Sequence, residues 1–308
     1  MASTLVNSPD IQAFLDRISG VPDAGGDQRI KQILRRIIGD LFATIDEFDI
    51  SPDEFWSALN FLAEGAPELG LWAAGLGFEH LLDIRLDAVD RKAGIEGGTP
   101  RTIEGPLYVA DAPLSPGEAR LDDGTDKGDV LIMHGHVRDS DGTPIVGAVV
   151  DVWHANTRGN YSYFDPSQSA YNNRRRITTG ADGSYRFRTI VPSGYSVPPG
   201  GTTDRLLKSV GRHGCRPAHI HFFVSADGHR HLTTQINIAG DPYLHDDFAY
   251  ATRDELIPPV IRHEDSEAIH AAGLNAAYLE VPFDFTLTKA GSPDELSPSS
   301  RKRAEPHR

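Results

Sequence analysis

The residues best suited to chemistry lie in one stretch, Arg216-Pro217-Ala218-His219-Ile220-His221-Phe222-Phe223-Val224. A proline followed by apolar and β-favouring residues predicts a strand. Side chains alternate across a strand, so His219 and His221 share one face and Ile220 takes the other. Two imidazoles side by side on a rigid strand are a natural half of a metal site. The competing reading is two ordinary, partly buried histidines. His134/His136 and His229/His231 repeat the H-x-H pattern. The first runs into a hairpin with no ligand-rich loop nearby, and the second flanks the turn Asp227-Gly228. Only His219/His221 follows a long loop bearing a tyrosine, Tyr195, between Pro192-Ser193-Gly194 and Pro198-Pro199-Gly200-Gly201. A second tyrosine-bearing loop, with Tyr161 and Tyr163, begins at Trp153-His154, where a strand is expected to end. His154 is either a rival ligand or a hydrogen-bonded histidine that orders this loop.

Other chemistries find no support. No Glu follows His221 at the spacing of a cupin-type site. Asp122-Asp123-Gly124-Thr125-Asp126 lacks the closing Glu of a calcium loop and reads as a solvated turn. There is no G-x-S-x-G elbow, P-loop or H-E-x-x-H. The net charge of -14 argues against nucleic acid and anionic membrane as partners. The single cysteine, Cys215, excludes an intrachain disulfide and any cysteine-based zinc or iron–sulfur cluster. Residues 1–10 lack a signal-peptide pattern and no stretch reaches the apolar length of a membrane span, so a cytoplasmic protein without membrane insertion is expected.

Helices must carry the first third. Ser8-Pro9-Asp10 reads as an N-cap with proline at the first helical position. From Asp27, Ile30, Ile33, Leu34, Ile37, Ile38, Leu41, Phe42 and Ile45 recur at helical spacing. Ser51-Pro52-Asp53-Glu54 is a capping box. A further helix is expected from Leu69 to about Lys92, with Gly70, Gly75 and Gly77 weakening its first half. Beyond residue 101 the period turns strand-like: Val130–Val137, Ile145–Trp153, Tyr185–Arg188, His219–Val224, His231–Ile238 and Leu279–Leu287. The expected architecture is an all-β sandwich catalytic domain (101–290) after an N-terminal α-helical dimerisation or linker region (1–100). Residues 291–308 are expected to form a disordered tail.

Several stretches together resemble the intradiol ring-cleavage dioxygenase family, and within it the catechol 1,2-dioxygenases. They are Thr102-Ile103-Glu104-Gly105-Pro106-Leu107-Tyr108, Val152-Trp153-His154-Ala155-Asn156, Gly159-Asn160-Tyr161-Ser162, Ile190-Val191-Pro192-Ser193-Gly194-Tyr195, the segment 211–222 around the two histidines, His231-Leu232-Thr233-Thr234-Gln235-Ile236-Asn237 and Asp246-Asp247-Phe248-Ala249-Tyr250. The resemblance implies a non-haem Fe(III) held by Tyr161, Tyr195, His219 and His221, with hydroxide as a fifth ligand. It implies catechol and O2 as substrates and cis,cis-muconate as product, within aromatic-compound catabolism (the β-ketoadipate pathway). Tyr195 would leave the metal when catechol binds, Arg216 would stabilise the developing ring anion, and Gln235 would stand near the reacting carbon. Ile103, Pro106, Leu107, Phe248 and Ala249 match substrate-lining positions, and Leu71 and Ala74 extend that wall. The resemblance also implies a homodimer through the helical region, with an amphipathic lipid at its interface. The alternatives are a chlorocatechol or hydroxyquinol 1,2-dioxygenase, or a non-catalytic metal-binding β-sandwich carrier.

Overall fold

The first helices start where the sequence supplies an oxygen for their free N–H groups. Ser8 caps α1 (Pro9–Ile18), the Asp27 carboxylate accepts from two amides at the start of α2 (Gln28–Glu47), and Ser51 and Glu54 cap each other's amides at α3 (Pro52–Gly65). The computed structural model describes residues 5–301 and 303, and it divides after Ala66 into two compact units. In the first unit Leu15 is buried, Phe14 stacks on Phe42, and Arg35 reaches Asp16 and Gln12. Ile30, Ile33, Leu34, Ile37 and Leu41 of α2 stay exposed.

The second unit opens with two helices where one is expected. α4 (Leu69–Gly75) stops, Gly77 adopts φ 77°, and α5 (Phe78–Lys92) restarts. Both belong with the strands, so the division falls after Ala66 and not near residue 100. The reason is polar: Arg101 and Arg253 pair with Asp87 of α5, and Arg101 and Arg230 with Asp90.

Strands, numbered along the chain, make two main sheets. One has the order β1 (Leu114–Pro116), β5 (Arg174–Thr178), β4 (Val149–His154), β9 (His219–Ser225), β10 (Leu232–Asn237). The other has the order β11 (Ile261–His263), β12 (Tyr278–Pro282), β3 (Val130–Asp139), β6 (Ser184–Ile190), β2 (Glu118–Arg120), with β13 (Phe285–Leu287) also on β3. A separate ribbon pairs β7 (Tyr195–Ser196) with β8 (Cys215–Arg216). Ile220, Phe222 and Val224 join Met133, Phe187, Val281 and Phe285 in one core drawn from both sheets.

Two helices fall within the strand region against expectation, α6 (Thr202–Ser209) and α7 (Ser266–Ala271). The start of α6 is held by Glu68, whose carboxylate accepts from the amides of Thr202 and Thr203. That cap is invisible in the local sequence. The expected strand Leu279–Leu287 is two strands, β12 and β13. Residues 291–301 and 303 do not form the free tail expected: Arg230 grips Glu295, Arg301 pairs with Glu79, and Arg303 with Glu104. Residues 302 and 304–308 of that tail lie outside the described residues. Among the described residues no helix is long and apolar enough to cross a membrane.

Candidate metal centre

β9 lies between β4 and β10, and its register decides what surrounds the two histidines. His221 stands opposite Trp153 of β4 and Gln235 of β10, and His219 opposite Asn237. Residues directly opposite share a face. The Trp153 ring stacks on His221 at 4.9 Å with an interplanar angle of 5°. His219 and His221 are almost fully buried.

His219 Nδ1 lies 2.6 Å from the Pro217 carbonyl, to which it donates. The other ring nitrogen, Nε2, therefore keeps its lone pair. That atom is 3.0 Å from Nε2 of His221 and 3.3 Å from the Tyr161 hydroxyl. Lone pairs this close repel unless a proton or a cation lies between them. Burial, then the charge of Arg216, pulls His219 down to about 3. Burial, then His219 and Arg216, pulls His221 well below the ordinary imidazole value. Both rings are therefore neutral, the form that binds metals. Tyr161 is pushed well above the usual phenol range by burial and then by the charge of Tyr195. It becomes a phenolate only with a strong cation beside it.

Tyr195 reaches the same place by another route. It stands opposite Arg216 in the β7–β8 ribbon, with its ring 5.6 Å from that of Tyr161 and 5.5 Å from that of His219. The Tyr161 loop touches the Tyr195 loop at Gly159, where φ is 77° and an added Cβ would come 2.6 Å from the Tyr195 Cβ. Only glycine permits that approach. Tyr195 is partly exposed and Tyr161 is not.

Arg216 is a buried cation with a complete set of partners. It donates to both oxygens of Asp247 at 3.1 and 3.0 Å, to Gln235 Oε1 at 2.8 Å, and toward His219 Nε2 at 3.1 Å. Burial raises Asp247, but Arg216 and the Ala249 amide more than offset this and hold it below the usual carboxylate value. Gln235 is fully buried and donates to Asn237. Neither residue is the surface arginine or plain strand glutamine that each would suggest alone.

All but one of the substrate-lining candidates fall into two apolar clusters. Leu71, Ala74, Ile103, Phe248 and Ala249 pack in one apolar cluster with Val197 and Leu207. Leu107 packs with Trp153, Tyr161 and Phe223. Pro106 lies against Gly70, where an added Cβ would be 2.9 Å from the proline ring.

His154 points away from this cluster: it stands opposite Ile220, and its two nitrogens meet Ala155 O and Thr189 Oγ1 at 2.7 Å each. The acidic run 122–126 is exposed at Asp123, Gly124 and Thr125, as expected of a solvated turn, but it also makes structural bonds. Asp126 holds the Tyr161 loop through the Thr157 amide and hydroxyl, and Asp123 accepts from Ser169. Sequence reasoning also missed Trp153, Asp247 and Arg174. Arg174 is buried, bonds Ser162 Oγ and Leu107 O, and holds its guanidinium 5.7 Å from the Tyr161 ring centre. Its signal was three arginines in a row on one strand, Arg174-Arg175-Arg176.

Among the described residues no three His, Cys, Asp or Glu side chains gather to hold an ion. The side chains that converge on the two imidazoles are phenols, so the donors present suit a hard, highly charged cation. A groove of about 850 Å³, lined by His134, Arg186, Tyr278 and Glu280 among others, lies apart from these donors.

The chain matches two family models: Dioxygenase over residues 103–289 and Catechol dioxygenase N terminus over residues 27–94. It is 61% identical over 269 residues to catechol 1,2-dioxygenase 2 of Acinetobacter lwoffii, covering 87% of this chain and 98% of that one. It is 53% identical over 294 residues to the catechol 1,2-dioxygenase of Acinetobacter baylyi, covering 94% of each. The solved catechol 1,2-dioxygenase from Pseudomonas arvilla C-1 superposes with a TM-score of 0.93 at 55% identity, covering 97% of this chain and 98% of that one.

Proposed function

The chain belongs to the intradiol catechol dioxygenase family, and from that premise we propose that it opens the ring of catechol between its two hydroxylated carbons, adding both atoms of O2 to give cis,cis-muconate. The site residues in this reading are Tyr161, Tyr195, His219 and His221, holding a non-haem Fe(III). The observation that carries it is the convergence of His219 Nε2, His221 Nε2 and the Tyr161 hydroxyl in a buried site beside Tyr195 and the paired cation Arg216. Fe(III) held by these four residues would supply a Lewis acid that draws electron density from a bound catechol ring.

The chain's own residues then have separable tasks. Tyr195, the more exposed phenol, is the one able to swing aside and carry off a catechol proton on its hydroxyl oxygen. Arg216 presents a fixed positive charge to the electron-rich ring, and Asp247 and Gln235 keep it from turning. The apolar groups around Ile103, Leu107 and Phe248 orient a flat ring by its faces and exclude water. The same reading takes the two sheets as the layers of a β-sandwich catalytic domain. It takes the exposed apolar row of α2 as the contact of a homodimer, and an amphipathic lipid as a further occupant of that interface. The setting is the cytoplasm and aromatic catabolism.

The test is a catechol assay that follows muconate absorbance, with iron and colour measured on the same sample. Iron-loaded protein should be red and should turn over catechol faster than hydroxyquinol or chlorocatechols. A colourless iron-loaded sample refutes the ligand set, and poor turnover of catechol refutes the substrate. Tyr161→Phe and His219→Ala should each lose iron and colour, and full iron retention in either would contradict its assignment.

A further inference from the structure

We propose that Arg303, near the C-terminus, is a positioning residue for substrate binding: it clamps the segment 102–108 against the histidine strand. The proposal rests on the catechol reaction above and extends it to a part of the chain that the sequence presents as a free tail. Glu104 lies in the middle of this segment and is 5% exposed. A carboxylate so buried requires a charged partner. Arg303 supplies it in two-pronged fashion, with Nε and Nη2 each 2.8 Å from a Glu104 oxygen. The same guanidinium lies 5.8 Å from the ring centres of both Tyr108 and Phe223. Arg301 is the secondary anchor, bonded to Glu79 of α5 and 4.0 Å from Glu104.

The clamp reaches the site in two steps. Tyr108 packs on Trp153 at 4.9 Å, and Trp153 stacks on His221. Gly105, next to the clamped carboxylate, has φ 67°, and an added Cβ would be 3.7 Å from His221 Cε1. The segment therefore runs between the tail arginine and a candidate metal ligand, and it carries the wall candidates Ile103, Pro106 and Leu107. The upstream tail is already fixed, because the His231 amide donates to the Glu295 carbonyl and Arg230 holds the Glu295 carboxylate. Without Arg303 the buried Glu104 charge keeps only Arg301, 4.0 Å away and without a hydrogen bond to it, and the segment must shift outward to hydrate it. The ring-orienting wall moves with it, while the iron ligands on β9 and the tyrosine loops stay.

The experiment compares iron-loaded parent, Arg303→Gln, Glu104→Gln and the double variant for kcat, KM, iron content and the visible band, with amide exchange of segment 102–108. Arg303→Gln should raise KM for catechol about tenfold, the scale of one uncompensated buried group, with kcat, iron and band unchanged. Exchange of 102–108 should quicken while that of β10 does not. The double variant should bind catechol better than the two single effects combined would allow, because an amide pair leaves no buried charge. An unchanged KM in Arg303→Gln, additive single effects, or iron lost from Arg303→Gln each overturns the proposal. If the parent does not turn over catechol, the functional reading fails on its own, and the exchange decides: quickened exchange in Arg303→Gln upholds the clamp and unchanged exchange overturns it.

Discussion

Arg216 and Asp247 bury opposite charges at 4% and 2% side-chain exposure, where water cannot replace a missing partner. Asp247→Ala should cost about 3–5 kcal/mol, because it strands a guanidinium beside His219. Asp247→Asn retains two polar atoms facing Arg216 and should cost clearly less. Urea denaturation distinguishes them, and equal losses would contradict the pairing. Asp151 is the opposite kind of buried acid. Tyr108 donates to it at 2.8 Å, yet burial raises it to about 7 from an ordinary 3.8. The folded protein therefore keeps a proton that the unfolded chain has already released. This contribution to stability is complete below 3.8 and is lost as pH rises toward about 7, by roughly 1.4 kcal/mol per pH unit within that window. Asp151→Asn, with Tyr108 donating to the amide oxygen, should remove that slope and leave the variant more stable than the parent above pH ~7. Denaturation midpoints compared across this window check it, and an unaltered slope would sink the assignment.

At the scale of elements, β9 does two jobs because it is buried on both faces. Ile220 belongs to the core while His219 and His221 face the donors. The two roles can be separated by substitution. Ile220→Ala should lower stability by about 2–5 kcal/mol through the cavity it leaves while the colour of the iron-loaded protein holds. Gly159→Ala should instead change the colour, forcing the two tyrosine loops apart and shifting or bleaching the visible band. An unshifted spectrum in Gly159→Ala would show that the loops tolerate the extra carbon. What could be read from sequence follows the same division. β9, α2 and the capping box at Ser51 were legible because their signals are local: alternation, helical period, a cap within one turn. The start of α6 was not, because its cap is Glu68, 134 residues away. The partner of Arg216 was hidden for the same reason, since Asp247 lies 31 residues on and joins it only through the fold. The break at Gly77 was half visible, as a glycine in a helical pattern whose left-handed φ no periodicity reveals. The tail misled because its low apolar content suits disorder, whereas ion pairs of Glu295 with Arg230, Arg301 with Glu79 and Arg303 with Glu104 hold it.

For the whole molecule, the unexplained quantity is exposed apolar surface on a chain carrying a net charge of -14. Ile30, Ile33, Ile37 and Leu41 recur along α2 at helical spacing, and all are exposed in the single chain. A row of this kind marks a contact surface, and a second copy is its commonest occupant in soluble proteins. Two copies each at -14 repel, so added salt should strengthen the association by screening that repulsion while leaving the apolar contact intact. Ile37→Asp combined with Leu41→Asp places new charges in the row and adds to the repulsion at once. Sedimentation velocity should show a parent dimer that tightens with salt and a double variant that stays monomeric at the same concentration. The variant should keep its iron and colour, because neither residue is among the donors around His219. A double variant that still forms the parent's dimer would place the contact on another surface, and a parent dimer loosened by salt would mean that charge, not apolar burial, holds the copies together.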